Sequence, residues 1–225
     1  MNAYSLSADA LAVAFSGRYV FHSLDFTARP GDAIWVKGQN GSGKTSLLRA
    51  LGGMIPLSCG TINLGGTTMA GGLGGYAAYI GTENAIKAGM RVAAMLRFWA
   101  GFCGATQQQI RTAVEAFALG PLLGLQIAML SNGQKRRVAL SRLRIIDRPI
   151  WLLDEPLGGL DQAGCTMLER AACQHRSRGG VIIVATHQPI HWPALQIVAL
   201  DADRNPPEAG NRQGLEFVSR RDSAR

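Results

Sequence analysis

The chain has 225 residues, of which 47% are hydrophobic and 17% are charged, and its formal net charge is +8. This composition excludes an intrinsically disordered protein, and the 28 glycines follow no strict period, which excludes collagen-like and repeat architectures. The excess of positive charge predicts an acidic partner, with nucleic acid, anionic lipid and nucleotide polyphosphate as the candidates.

Three further expectations follow from residue types. No apolar run approaches the roughly 20 residues that a membrane-spanning helix needs, so we expect a membrane role only through a partner. The cysteines lack C-x-x-C spacing and are predicted to be reduced, buried thiols of a cytoplasmic protein; they are Cys59, Cys103, Cys165 and Cys173. Most of the basic residues at 135–148 are predicted to form a solvated face.

The N-terminal region is predicted to contain short antiparallel strands at residues 11–15, 19–21 and 24–27, separated by turn residues. Pro30 and Gly31 then turn the chain into a strand at residues 32–37. These strands lead to the most informative stretch of the sequence.

That stretch fits the pattern G-x-x-x-x-G-K-[ST] of a phosphate-binding loop. It consists of Gly38, Gln39, Asn40, Gly41, Ser42, Gly43, Lys44 and Thr45. Its glycines allow backbone N–H groups to turn toward an anion, and a predicted helix from Ser46 to residue 51 adds its positive N-terminal dipole. Lys44 can reach the β- and γ-phosphates, and the Thr45 hydroxyl suits Mg²⁺. The sequence therefore predicts a nucleoside triphosphate site.

The middle of the chain is predicted to contain a strand at 61–64, a glycine-rich loop at 65–75 and a core strand at 76–80. From residue 90 to about 119 an apolar stripe with helical spacing predicts a helical insertion. The stripe consists of Val92, Met95, Leu96, Trp99, Ile110, Val114 and Phe117.

Ser131 and Gln134 fit a capping box, which predicts a helix that runs to Ile146. The Ser131 hydroxyl and the Gly133 N–H, exposed at that helix N-terminus, can also bind a polyphosphate. One triphosphate does not need two such sites in one chain. We therefore expect two chains packed head to tail, each lending this element to the other's nucleotide.

Residues 150–155 are four apolar residues followed by two acids. A buried strand here delivers Asp154 to the Mg²⁺ held by Thr45, and Glu155 is then placed to polarise a water that attacks the γ-phosphate. A second unbroken apolar run at 181–184 predicts another parallel strand, joined to the first by a helix at 161–177. We expect one domain over 1–204, with a helical subdomain at about 84–148, and a loosely held tail over 205–225.

These motifs, with the 159–161 loop and His187, occur in an order that resembles the ABC-type ATPases over roughly residues 10–200. Within that family the chain is most similar to the ATP-binding subunits of cytochrome c maturation (Ccm) exporters, the haem exporters, at 79–81, 86–87, 96–99, 133–140 and 186–188. The resemblance implies an α/β P-loop NTPase fold with a mainly parallel core sheet, an antiparallel β subdomain and a helical subdomain. ATP and Mg²⁺ are the implied substrate and metal.

The resemblance also implies residue roles on the nucleotide. Phe15 would stack on adenine, although Tyr19 is a rival and a plain core role for Phe15 remains open. Lys44 and Thr45 would hold phosphate and Mg²⁺, and Asp154 would complete the metal site.

Other implied roles concern hydrolysis and the dimer. Glu155 would be the general base and His187 would contact the γ-phosphate. Ser131, Gly133 and Gln134 would bind nucleotide across the dimer, near Asp161.

Two residues depart from the family pattern. Glu83 stands where Gln is usual at the entry to the helical subdomain, and we still expect it to bind the metal or its water; the alternative is that Glu83 points to solvent and has no role. Asn132 replaces the commoner Gly and leaves Ser131 and Gly133 intact.

The implied function is the ATP-hydrolysing motor of an ABC membrane transporter, with haem handling in cytochrome c biogenesis as the specific role. It would sit peripherally at the cytoplasmic face of the bacterial inner membrane. Its partners would be polytopic membrane subunits and a second copy of the chain, with no nucleic acid. The alternatives are a soluble ABC-type ATPase acting on nucleic acid or ribosomes, which the +8 charge favours, and a transporter motor for another substrate.

Overall fold

The structure, a computed structural model, describes residues 4–200. The strands are β1 (Leu6–Phe15), β2 (Arg18–Ala28), β3 (Ala33–Lys37), β4 (Cys59–Leu64), β5 (Thr67–Thr68), β6 (Ala77–Ile80), β7 (Ile150–Asp154), β8 (Val181–Ala185) and β9 (Leu195–Ala199). The α-helices are α1 (Lys44–Leu51), α2 (Val92–Cys103), α3 (Gln107–Ala116), α4 (Asn132–Ile146) and α5 (Gln162–Ser177). Short 3₁₀ turns lie at Gly74–Tyr76, Gly120–Leu122 and Ile127–Met129.

The strands form two sheets, which confirms the predicted α/β fold class. The core sheet has the order β6-β7-β8-β3-β9, and every neighbouring pair in it is parallel. The second sheet has the order β2-β1-β4-β5 and is antiparallel. All residues of β7 and β8 are buried, because the core sheet is covered on both faces, and this explains their unbroken apolar sequences.

The core sheet divides the apolar interior into two clusters. Trp151 and Leu153 join the cluster formed with α2, α3, α4 and α5, whereas Ile150 and Leu152 join the cluster formed with α1 and the antiparallel sheet. This alternation follows from the period of two along a strand. The phosphate loop follows the last residue of β3 and so starts at the carboxyl edge of the core sheet.

The predicted helical stretch at 90–119 is two helices. Gly104 ends α2 in the left-handed conformation with φ 67°, and Thr106 then starts α3 with a capping box to Gln109. The two-residue strand β5 inside the predicted glycine-rich loop and the edge strand β9 are not anticipated by the sequence. Among residues 4–200, no helix is both long and apolar enough to cross a membrane. The predicted tail at 205–225 lies outside the described residues.

Two predictions about burial were wrong. Cys59 and Cys173 are exposed, and the other two cysteines are half-buried. Arg136 and Arg144 of α4, assigned to a solvated face, are only 3% and 6% exposed. A buried guanidinium is tolerated when its N–H groups find acceptors, and all three nitrogens of Arg136 donate, whereas Arg144 donates through one nitrogen and its Nε has no partner among residues 4–200.

Candidate functional site

The phosphate loop places Lys44 at its centre. The Lys44 ammonium donates to the carbonyl oxygens of Gly38 at 2.8 Å and Gln39 at 2.9 Å, so the side chain lies back along the loop. No side-chain oxygen caps the N-terminus of α1 or of α2, whereas α3, α4 and α5 all have side-chain caps. The first-turn N–H groups of α1 are thus available to an anion, in line with the predicted phosphate site.

Glycine is required at two positions of this loop. Gly43 has φ 96°, and a Cβ there would lie 2.5 Å from Val20 of β2. At Gly38 a Cβ would lie 2.4 Å from the Ser42 hydroxyl and 2.5 Å from the Leu200 carbonyl. A side chain at either position would meet these atoms, so glycine lets the loop pack closely against β2 and against Leu200.

Two of the three predicted metal ligands, Thr45 and Asp154, meet at the carboxyl end of β7. The Thr45 hydroxyl donates to Asp154 Oδ2 at 2.9 Å, and the Tyr79 hydroxyl at the end of β6 lies 3.3 Å from the same oxygen. Burial raises the pKa of the Asp154 carboxyl, and these two hydrogen bonds oppose that shift. A hydroxyl and a carboxylate oxygen in contact are donors that Mg²⁺ prefers, so Thr45 and Asp154 fit the implied metal.

Glu155 follows Asp154 and is held on two sides. Its Oε2 accepts a hydrogen bond of 2.8 Å from the Thr186 hydroxyl, and its Oε1 accepts one of 3.1 Å from the His187 backbone N–H. The His187 Nδ1 also lies 3.0 Å from Oε1, although the ring is 67% exposed. The structure thus pairs His187 with the predicted general base. The predicted contact of His187 with a γ-phosphate stays a prediction.

The N-terminus of α4 has the predicted capping box. Ser131 Oγ accepts from the Gln134 N–H at 3.2 Å, and Gln134 Oε1 accepts from the Ser131 N–H at 3.0 Å. A Cβ on Gly133 would lie 2.9 Å from the Gly159 carbonyl, so the 159–161 loop packs against this end of α4. Asp161 caps α5 through a 2.7 Å bond from the Gly164 N–H. The elements predicted to face a second chain therefore lie together, and their nucleotide contacts stay a prediction.

Phe15 and Glu83 lie at the margins of the site. Phe15 ends β1 and is 52% exposed, which removes the alternative that it is a core residue. Tyr19 makes an edge contact with His22 at 5.6 Å. Glu83 is exposed, and no hydrogen bond or ion pair joins it to another residue of 4–200. Adenine stacking by Phe15 and metal binding by Glu83 stay predictions.

Three residues that contact the predicted acids are not among the predicted site residues: Tyr79, Thr186 and Arg136. The sequence could have indicated Thr186, because this residue follows β8 and the carboxyl ends of neighbouring parallel strands meet at one edge of a sheet. Tyr79 and Arg136 carry no such signal, because each reaches the site from a distant part of the chain. Among residues 4–200 no group of three or more His, Cys, Asp or Glu is placed to hold a metal ion.

Comparisons with known proteins show which proteins this chain is similar to. The model of the family described as ABC transporter matches residues 21–158. The chain is 41% identical over 187 residues to the cytochrome c biogenesis ATP-binding export protein CcmA of Rhodospirillum rubrum, covering 82% of this chain and 80% of the relative. The protein of the same name from Bradyrhizobium diazoefficiens is 44% identical over 174 residues, covering 77% and 87%. A solved ATP-binding subunit of an ABC transporter has a TM-score of 0.75 at 21% identity over 87% of each chain, which shows a common fold.

Proposed function

This chain belongs to the ABC transporter family of ATPases and, within it, to the group of cytochrome c biogenesis ATP-binding export proteins CcmA, and on that premise we propose that it is the ATP-hydrolysing subunit of an exporter that serves cytochrome c biogenesis. The observation that most directly supports ATP hydrolysis by this chain is the 2.9 Å hydrogen bond between Thr45 and Asp154, with Glu155 next to Asp154. That bond joins the phosphate loop to the strand that carries the acids.

The chemistry follows from these positions. Lys44 and the uncapped N-terminus of α1 bind the β- and γ-phosphates of ATP. Thr45 and Asp154 would hold Mg²⁺, which would supply positive charge against the negative charge that develops on the phosphates. Glu155 accepts the proton of the attacking water, and Thr186 and His187 keep its carboxylate in one orientation.

The second proposal is a head-to-tail dimer of this chain. The Ser131 end of α4 and the 159–161 loop pack against each other, so both can meet a partner's nucleotide as one surface. ATP bound between two chains then favours closure, and hydrolysis allows reopening.

We place the chain at the cytoplasmic face of the bacterial inner membrane, bound to polytopic membrane subunits. Closure would move those subunits through the helical region around residues 90–99. Phe98 and Phe102 of α2 are 50% and 86% exposed, an apolar surface that suits such a contact. Haem is the cargo that the sequence resemblance implies, and we assign its recognition to the membrane subunits.

The test is a strain that lacks this chain. We expect it to lose covalently bound haem in its c-type cytochromes, measured by haem staining, and the wild-type gene should restore the signal. Glu155→Gln should not restore it, because an amide cannot take the proton, and its purified form should hydrolyse ATP at least about 100-fold more slowly while still binding it.

Glu169→Gln is the matched control, since Glu169 is an exposed acid on α5. It should restore haem staining and turn over ATP like wild type. Wild-type turnover by Glu155→Gln would remove the proposed general base. Normal haem staining in the strain that lacks the chain would remove the role in cytochrome c biogenesis.

A further inference from the structure

Arg136 of α4 is buried, yet nothing in the proposed mechanism uses it. Its guanidinium donates to oxygen atoms from two separate segments of the chain. They are the Pro156 carbonyl at 3.2 Å, the Asp154 carbonyl at 3.2 Å, the Glu155 carbonyl at 2.8 Å, the Gly81 carbonyl at 2.8 Å and Asn84 Oδ1 at 3.2 Å. Only the planar fork of arginine can serve so many acceptors at once.

Three of these acceptors are consecutive carbonyls of the turn that carries Glu155. Glu155 has φ 46°, in the left-handed region that is unfavourable for a residue with a side chain. Two donors hold the Glu155 carbonyl of that turn, the Arg136 guanidinium and the Gly158 N–H at 3.2 Å, and only Arg136 also donates to the Asp154 and Pro156 carbonyls. The orientation of the Glu155 carboxylate thus depends on a bond network that begins at its own backbone.

The other two acceptors lie in residues 81–84, the segment that leaves β6 toward α2. This segment contains neither helix nor strand, and it starts the connection from β6 of the core sheet to α2 at Val92. The helix α4, which carries Arg136, itself packs against α2 and α3. One side chain therefore joins the entrance of the helical region to the turn beside the γ-phosphate site.

We propose that Arg136 is a positioning residue that couples the 81–84 segment to the orientation of Glu155. When the helical region moves, the guanidinium transmits the displacement of Gly81 and Asn84 to the 154–156 turn. Arg136 makes no contact with Lys44 or Thr45, so it affects the rate of hydrolysis and not the binding of ATP. The inference rests on the proposed role of Glu155 as the general base.

Arg144 offers a matched control within the same helix. It is also buried, and it donates to the Ala171 carbonyl and to Gln174 on α5, away from both acids. Losing either arginine removes a buried guanidinium and its hydrogen bonds. Only Arg136 is bonded to the Glu155 turn.

The experiment compares steady-state ATP hydrolysis by the full chain at a temperature well below each variant's Tm. Arg136→Gln should lower kcat at least about 10-fold and leave the KM for ATP within about twofold, because only the base is misplaced. Arg144→Gln should lower the Tm yet keep kcat within about twofold. Asn84→Ala removes a single acceptor from the 81–84 side and should lower kcat about two- to fivefold with unchanged KM.

A double-mutant cycle with Glu155→Gln separates positioning from structure. In that background Arg136→Gln should cause no further loss in single-turnover hydrolysis, because the group that it positions is already absent. The inference fails if kcat of Arg136→Gln falls no further than kcat of Arg144→Gln, or if the KM of Arg136→Gln for ATP rises as much as its kcat falls. It also fails if the rate losses of Arg136→Gln and Glu155→Gln multiply in the double variant.

Two outcomes keep the inference separate from the proposed function. If Glu155→Gln hydrolyses ATP slowly and Arg136→Gln hydrolyses it at the wild-type rate, the inference is overturned and the proposed function stands. Wild-type hydrolysis by Glu155→Gln overturns the proposed general-base role on which the inference rests. If Arg136→Gln does not fold, wild-type kcat in both Asn84→Ala and Arg136→Lys overturns the inference, since lysine cannot bridge both segments.

Discussion

At the scale of single residues, His175 shows how packing fixes a charge state. Its ring stacks on Trp151 with centroids 4.0 Å apart, and its Nε2 lies 3.1 Å from the Pro149 carbonyl. A Cβ on Gly180 would lie 2.2 Å from the ring, so the ring packs directly against Gly180, and His175 is only 1% exposed. Burial, with smaller contributions from the positive Arg144 and Arg178, lowers the pKa of His175 to about 4.

This burial predicts a loss of stability in mild acid. The pKa of His175 is lower in the folded chain than the usual 6.5, so below pH 6.5 the unfolded chain binds a proton that the folded chain does not. The contribution of neutral His175 to the free energy of unfolding is therefore fully present above pH 6.5. It is lost as the pH falls from 6.5 to about 4, a loss of up to about 3 kcal/mol. Urea unfolding at a series of pH values measures this.

The controls compare slopes and not absolute stabilities. His175→Gln should flatten the fall between pH 6.5 and 4, although it also loses the stacking on Trp151. His191→Gln, at an exposed histidine, should keep the wild-type slope. Equal slopes in wild type and His175→Gln would assign the acid sensitivity to other groups.

At the scale of elements, two helices begin with the same device and differ in what surrounds them. Thr106 starts α3 and Ser131 starts α4, each with a reciprocal bond to a glutamine three residues later. Both boxes satisfy N–H groups that a helix start leaves open. Only the box of α4 packs against the 159–161 loop, which is why we assign it a second role toward a partner's nucleotide.

The pair gives a prediction that separates capping from nucleotide binding. Ser131→Ala and Thr106→Ala should each lower the free energy of unfolding by about 1 kcal/mol, because each loses one cap. In the Glu155→Gln background, which traps ATP, only Ser131→Ala should abolish the ATP-dependent dimer on gel filtration. A dimer that persists in Ser131→Ala would leave Ser131 with a capping role alone.

At the scale of the whole molecule, the site is divided between two surfaces of one chain. The phosphate loop, Asp154 and Glu155 meet at the carboxyl edge of the core sheet, and the start of α4 is a separate exposed element. A head-to-tail dimer would bring the edge of one copy to the α4 element of the other. Each ATP would then need both chains.

Mixing two inactive variants tests that arrangement. Lys44→Ala should lose ATP binding, since the charge-assisted phosphate contact is gone, and Ser131→Ala should hydrolyse poorly across the dimer. In a mixed dimer one site carries both changes and the other carries neither, so we expect up to about a quarter of wild-type turnover.

The control is the double variant Lys44→Ala, Ser131→Ala mixed with either single variant. Every site of such a mixture carries at least one of the two changes, so no turnover should return. If the two single variants restore no ATP hydrolysis when they are mixed, the site is not shared between two chains.

The features that the sequence determined by itself have causes within a few residues. The phosphate loop depends on glycines at fixed spacing, and the cap of α4 depends on Ser131 and Gln134, three residues apart. The strands β7 and β8 follow from unbroken apolar runs. The boundary between α2 and α3 at Gly104 also depends on neighbouring residues. It was not predicted, because the apolar stripe with helical spacing continues across it.

Only the tertiary structure decided which distant groups complete the site. Arg136 reaches Gly81 across 55 residues, and Tyr79 reaches Asp154 across 75. In the sequence Arg136 stands in a run of basic residues and predicts a solvated face, because the sequence does not show which carbonyls the fold will bring to it. Burial of a charge depends on acceptors supplied by other elements, and their positions are set when the core sheet places β6 beside β7.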